Sequence, residues 1–565
     1  MVVFNTESFY EWKLVIGFAI FLSILYIWKK KSRNKHGDEI PQLSSWAYVW
    51  NLIFCQVKAQ NFRKLCGKYM NLLVNKKNAQ DMKVKKLPSI SVLTILWNML
   101  FYQRDNRLHY KSSWVIDILN GIVGLPTLFP KEKVLYVNVF GYKLICFIHP
   151  ESAKEVLSSN SFITKDSLYD FFIPLLGKNS LLYSPDDIWR KRRRYYAPYF
   201  HLRYIKDYQN VFMNHSNLFV EKLKKLQENE IFDIVKWTKY CSLDIVTDLI
   251  LGISPNSQSE NNEEYIAAIT RVTKYFSQWL TNPLYWFPPT CAMTKRGKKL
   301  KRNVEIIHQL DEKEFKRMKE NFVKRHIGDD EHNAKKPNMK IELLIDVLLD
   351  LHVNQNLISE EDAIREMNGL KFAALHTSSH AASWTLYFLG RFHEIQDKVY
   401  MELQSIFQDD INRNITINDL TKMTYLECVI KESIRIYPPV PVISRKNPYE
   451  IKIDDYVLPP KSTFVICMYA IHHNPSVYEN PEVFDPDRFL PENFKQLHPY
   501  AFLPFSAGPR NCLGGKVAMV AMKTVLANVL RNFKVYSVDP QDKIINSFEL
   551  FLCPLSGIRM RIEKR

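Results

Sequence analysis

The chain has 565 residues, 46% of them apolar and 13% aromatic, so it can bury a sizeable core and is not disordered by composition. Its 77 Lys and Arg against 59 Asp and Glu give a formal charge of +18, which favours acidic partners such as anionic lipid headgroups or an acidic protein face. No Gly/Ser-rich linker divides the chain, which implies one large unit behind an N-terminal appendage.

Leu14 to Trp28 (LVIGFAIFLSILYIW) is uncharged and apolar, and Lys29, Lys30, Lys31, Arg33 and Lys35 follow it. That charge bias predicts a single-pass anchor over residues 1–35 with the rest of the chain in the cytosol. Fifteen residues of helix reach about 22 Å at roughly 1.5 Å per residue, so Trp12, Lys13 and Lys29 must snorkel or the bilayer must thin. A cleaved signal peptide would carry its cations before the apolar run, not after it. Residues 36–130 read as a linker region, in which 40–56 and 87–103 align without gaps at an offset of 47, sharing Pro41/Pro88, Trp50/Trp97 and Phe54/Phe101. Two copies are too few for a solenoid, and both are aromatic enough to lie against a membrane surface.

From residue 131 the pattern is that of a catalytic domain running to 565, mainly α with a smaller β-rich part. Val134–Val139 and Lys143–His149 read as a strand pair. Trp189 and Arg193 stand at i and i+4 on a helix, so an indole N–H and a guanidinium share one face. The basic runs Trp189–Arg194 and Lys295–Arg302 come with no nucleic-acid module, so no nucleic acid is expected, and the second run reads as a solvated face. Ser359 and Asp362 open a helix by a capping box, and the helical pattern lasts to Arg391. In its middle Ala373, Ala374, His376, Thr377, Ser378 and Ser379 combine small residues, which admit a ligand, with hydroxyls that hold water.

Glu432 and Arg435 share a helix face before Pro438, Pro439 and Pro441 end the helix. Nine cysteines, odd in number and with no Cys-x-x-Cys pair, fit a reducing compartment, and most sit in apolar surroundings as core residues. Cys512 differs. It lies in the Gly/Pro-rich loop PFSAGPRNCLGG before a helix-compatible run, Lys516 to Phe533, where amide N–H groups and the helix N-terminus favour a thiolate able to ligate iron.

Phe505-x-x-Gly508-x-Arg510-x-Cys512-x-Gly514 resembles the haem-binding signature of the cytochromes P-450. The resemblance covers about residues 130–562 and implies the cytochrome P-450 fold, a single large haem-binding domain. It implies haem b with Cys512 as axial ligand, Arg510 on a propionate and Phe505 packed beneath the ligand. By the same resemblance Trp189, Arg193 and Arg445 approach propionates, and Glu432, Arg435 and Arg488 form the buried triad behind the haem. Thr377 matches the oxygen-side threonine, while Ala374 replaces a glycine and His376 an acid; a histidine still passes protons near neutral pH, so Thr377 and His376 are the expected catalytic pair.

LECVIKESIRIYPPVP, PEVFDPDRFLPEN and LLGKNSLLYSPDDIWRKRRRYYAPYFH are similar to family 4 of the cytochromes P-450, especially arthropod-like members. Many of these carry a Glu where Ala373 stands, able to form an ester to the haem, so haem here is expected to be non-covalent. The implied activity is insertion of one atom of O2 into a lipophilic substrate (a fatty acid, terpenoid hormone or xenobiotic). The implied partners are NADPH-cytochrome reductase, cytochrome b5 as a further donor and a membrane, and the implied location is the endoplasmic reticulum membrane with the domain facing the cytosol. His376-Thr377-Ser378-Ser379 is spelled as in sterol 14-demethylases, which makes that enzyme the alternative, and the missing acid leaves a non-monooxygenase haem protein as a third reading.

Overall fold

The computed structural model describes residues 132–565 and the strand Ser89–Ile90, apart from 140–141, 261–262, 282–284, 287, 328–342, 409, 411–412, 454–455 and 545. All of these belong to the unit Val84–Arg565. The expected anchor, Leu14 to Trp28, and the tandem repeat except Ser89–Ile90 lie outside the described residues. Among the described residues no helix is long and apolar enough to cross a membrane.

The strands are β1 (Ser89–Ile90), β2 (Val134–Val139), β3 (Tyr142–Phe147), β4 (Phe232–Asp233), β5 (Ile443–Asn447), β6 (Ile451–Ile453), β7 (Tyr456–Leu458), β8 (Ser462–Ile466), β9 (Phe533–Ser537), β10 (Asn546–Glu549), β11 (Phe551–Pro554) and β12 (Arg559–Lys564). The largest sheet runs β1-β2-β3-β8-β5. Its apolar residues alternate between faces: Val134, Ile145, Phe147, Phe464 and Ile466 join one core cluster, and Leu135, Val137, Cys146 and Val465 another. This is the two-residue period of a strand buried on both sides.

The helices that build the site are α1 (Asp186–Tyr196), α2 (Gln209–Lys224), α3 (Ile234–Leu251), α4 (Glu263–Thr281), α5 (Lys295–Ile327), α6 (Leu344–Leu349), α7 (Glu360–Arg391), α8 (His393–Phe407), α9 (Thr424–Ile436) and α10 (Gly515–Asn532). The N-cap half of the capping box foreseen for α7 is present: the Ser359 side chain accepts from the Asp362 N–H, and Glu360, Glu361 and Asp362 lie in the first turn, at the positive end of the helix dipole. α3 lies along α7 in the most extensive helix–helix contact of the described residues. Hydroxyls stitch the two together, with Ser383 Oγ 2.7 Å from Thr238 Oγ1 and Ser242 Oγ donating to the Leu375 carbonyl.

Two buried ionic knots fix α7. Arg192 of α1 reaches Glu366 at 2.6 Å and Asp362 at 3.1 Å. Lys371 reaches Asp311 and Glu314 of α5, both at 2.6 Å, and sits 4.8 Å from the ring centroid of Tyr265 on α4. Such pairs contribute little net stability but are costly to break, because the remaining charge is left buried and alone. The run Lys295–Arg302 sits on α5 with Lys295, Arg296, Lys298, Lys299, Lys301 and Arg302 exposed, the solvated face expected of it.

Candidate haem-thiolate site

The loop before α10 is shaped by close packing. Gly508 has φ +74°, and a Cβ there would stand 1.7 Å from the Leu157 carbonyl oxygen, so only glycine fits. A Cβ at Gly515 would stand 3.0 Å from Phe505 Cγ, which keeps Phe505 against the start of α10. The Cys512 N–H donates to the Phe505 carbonyl at 2.9 Å, tying the two motif residues together.

Cys512 is surrounded by protein, yet its side chain is accessible, so it lines a concavity rather than filling the core. Burial raises its thiol pKa, while the Gly514 and Gly515 amides and the Arg193 guanidinium work in the opposite sense by favouring the thiolate. Arg193 also clamps the loop, donating to the Asn511 carbonyl at 2.9 Å and to Asn511 Oδ1 at 2.6 Å.

Beside the thiol lies a group of desolvated cations. Arg510 donates to the Ile163 and Ser184 carbonyls at 2.9 Å, lies 5.1 Å from the ring centroid of buried Trp189, and keeps its Nε without a partner. Burial and the neighbouring Arg445 charge bring its pKa down to about 10. Arg445, buried on β5, is lowered by desolvation, and Lys165 falls well below the ordinary lysine value through burial and the charges of Arg445 and Arg510. Asp166 and Asp186 offset this only in part. Cations this crowded call for added anions, and two carboxylates would satisfy them. Lys165 carries no sequence signal of its own; only the fold brings it to Arg445 and Arg510.

Behind the loop the structure brings Glu432, Arg435 and Arg488 together. Glu432 and Arg435 are fully buried in a bidentate pair, Nε to Oε2 at 2.6 Å and NH2 to Oε1 at 2.7 Å. Arg488 approaches Glu432 Oε1 at 3.6 Å, and the Asp485 N–H donates to the same oxygen at 2.9 Å. Burial raises the Glu432 carboxyl and Arg435 opposes that shift. A residue missed in the sequence completes the link: Arg435 NH1 donates to the His472 carbonyl at 2.9 Å, and His472 Nε2 accepts from the Leu503 N–H at 2.9 Å. His472 thus joins the triad to the first residues of the cysteine loop. Burial and the Arg435 charge pull its pKa down to about 3, which keeps it a neutral acceptor.

Most residues of α7 are buried, but its middle carries a short run that is not. Ala373 is exposed, and Ala374, Thr377 and Ser378 are half-exposed. Ala374 packs against the same apolar cluster as Leu513, the neighbour of Cys512. The Thr377 hydroxyl donates to the Ala373 carbonyl one turn back at 2.8 Å. His376 stands elsewhere: it is buried, with neither ring nitrogen hydrogen-bonded, its ring stacked 5.3 Å from Phe551 and 5.7 Å from His380. Burial, Lys239 and His380 hold it well below the usual histidine value, hence neutral. The structure therefore brings Thr377 to the accessible face and does not bring His376 there with it. One residue turns a helix by roughly 100°, which separates neighbours in sequence onto different faces.

The sequence profile of the cytochrome P450 family matches residues 127–561. The chain belongs to the cytochrome P450 family, and its fold is that of a haem monooxygenase with a cysteine thiolate iron ligand. Its relatives place it in family 4. It is 33% identical over 424 residues to cytochrome P450 4V2 of Homo sapiens, covering 75% of this chain and 80% of the relative. It is 30% identical over 517 residues to cytochrome P450 4c3 of Drosophila melanogaster, covering 89% and 94%. Among solved structures, the cytochrome P450DA heme domain superposes with a TM-score of 0.68 at 18% identity, covering 85% of this chain and 98% of that one.

Proposed function

We propose that this enzyme inserts one atom of O2 into a lipophilic substrate (a fatty acid, terpenoid hormone or xenobiotic) with electrons from NADPH-cytochrome reductase and, as a further donor, cytochrome b5. The observation that carries the haem assignment is Cys512, an accessible thiol facing two backbone amides and Arg193, beside the under-neutralised cations Lys165, Arg445 and Arg510. The residues fit haem b: Cys512 would hold the iron, and Arg510, Arg445, Lys165, Trp189 and Arg193 would surround the two propionates. When bound, the haem supplies the oxygen activation and electron-transfer chemistry.

The chain's own residues do the rest. Arg193 and the loop amides favour the thiolate form of Cys512. Phe505 and Gly508 fix the loop, and Glu432, Arg435, Arg488 and His472 hold its approach. Thr377, on the accessible face, would hold and pass a proton on the oxygen side, whereas His376, buried off that face, would not join it there. Ala373 has no carboxyl to esterify, which supports non-covalent haem. The apolar run Leu14 to Trp28 with its cationic flank supports anchoring in the endoplasmic reticulum membrane, with the domain in the cytosol.

The reduced, carbon-monoxide-bound absorption spectrum tests the central assignment: a thiolate-type Soret band is expected, and its absence in folded protein would refute it. Sterol 14-demethylation is the second reading, carried by His376-Thr377-Ser378-Ser379. Substrate-induced spectral shifts with a sterol against a long-chain fatty acid separate the two.

A further inference from the structure

On the outer side of α7 a cleft of about 500 Å3 opens to solvent between α3, α4 and the β10–β11 hairpin. Neither Cys512 nor Thr377 lines it, so it is distinct from the haem-thiolate site. Its floor is His376, buried to 1% exposure with both ring nitrogens unbonded, beside Thr270, whose buried hydroxyl also has no partner. Behind them His380 keeps Nε2 unbonded and places Nδ1 3.7 Å from the Cys553 thiol. A buried polar group without a hydrogen bond costs on the order of 1–3 kcal/mol, so several at one cleft floor call for something to bind them. Among the described residues no three His, Cys, Asp or Glu side chains stand together to hold a metal ion.

The charges select its class. Asp233 Oδ1 accepts from the Val235 and Ile558 N–H groups, both at 3.0 Å, and Glu263 pairs with Lys236 at 3.4 Å. Among the described residues Lys239 makes no ion pair with a carboxylate, and its charge is felt at His376, His380, Cys553 and Glu549. Burial pushes the Glu549 carboxyl up, and the Lys274 and Lys239 charges oppose that shift. Over the whole lining the cations Lys236, Lys239, Arg271 and Lys274 outnumber the carboxylates Asp233, Glu263 and Glu549, and the floor adds neutral hydrogen-bonding groups. The opposite wall is apolar: Ile266, Pro554 and Leu555, the last 41% exposed at the rim.

We propose that this cleft binds a monocarboxylate with a short apolar tail, its carboxylate facing Lys239 and accepting from the His376 imidazole, its tail lying over Ile266, Pro554 and Leu555. Such a ligand touches α7 one residue before Thr377, so the cleft is an effector site behind the oxygen-side helix. Its volume falls in the range of small-molecule sites, roughly 300–1,000 Å3.

The test uses full-length haem-loaded protein in nanodiscs, with an imidazole-type haem ligand at saturation to block the iron side and labelled octanoate as the probe. One octanoate per chain, above that taken up by empty nanodiscs, is expected to survive the blocker. Lys239→Ala is expected to weaken it by about tenfold or more, the loss of one charge-assisted contact, and Lys239→Arg to retain it. Displacement of all octanoate by the blocker, absence of octanoate binding, or equal binding by Lys239→Ala overturns the proposal. Failure of the haem assignment shows separately, as absence of the spectral shift that the blocker itself produces.

Discussion

The two faces of the cavity are built on opposite principles. The cysteine side is a rigid polar scaffold, where Gly508 admits no side chain, Arg510 and Arg193 grip backbone carbonyls, and Glu432, Arg435 and His472 form a buried chain leading to Leu503. The oxygen side is a stretch of small residues on one long helix, with the Thr377 hydroxyl donating to the Ala373 carbonyl of its own helix and His376 turned against Phe551. Ligand geometry therefore depends on many mutually dependent contacts, while oxygen-side chemistry depends on which few side chains a helix presents. Mutations should be severe on the first side and selective on the second.

The largest effect is expected at the thiolate. Cys512→Ala should abolish both the thiolate-type carbon-monoxide band and oxygenated product, and a retained band would remove the cysteine side from the comparison. Next is Glu432→Ala, which leaves Arg435 buried without its bidentate partner, a cost of about 3–5 kcal/mol. Stable haem loading should fail, and a normal haem spectrum in the purified variant would contradict this.

Thr377→Ala should leave that spectrum intact but lower product formed per NADPH by about tenfold or more, within the roughly 10²–10⁴ that proton transfer contributes. His376→Phe should change this ratio much less, since its ring is neutral and off the accessible face. An equal loss in both variants would put His376 back into the proton path.

A smaller effect concerns pH. His472 has its folded pKa depressed to about 3, below an unfolded value near 6.5, so the unfolded chain binds more protons between those values. His376 and His380 shift the same way. Stability from this source is fully present above about pH 6.5 and is lost as pH falls toward 3. Thermal denaturation should give a lower Tm at about pH 5 than at neutral pH, and His472→Gln should flatten the slope. The least disruptive test is acid extraction: with alanine at 373, haem should leave the denatured polypeptide completely, and retained haem would show a covalent bond.

By itself, the sequence determined the features that depend on local chemistry. The capped start of α7, the strand pair around β2 and β3, the cysteine loop and the Glu432–Arg435 spacing all follow from nearest neighbours, and each stands where the pattern indicates. Only the tertiary structure decided what depends on residues distant in the chain. Lys165 joins Arg445 and Arg510 across 280 and 345 positions, and His472 meets Leu503, through packing that no local pattern encodes. The position of His376 shows the limit most clearly. A short motif names the residues along a helix, but the direction each faces is set by what packs on that helix, here Phe551 and His380 against His376 while Thr377 stays half-exposed.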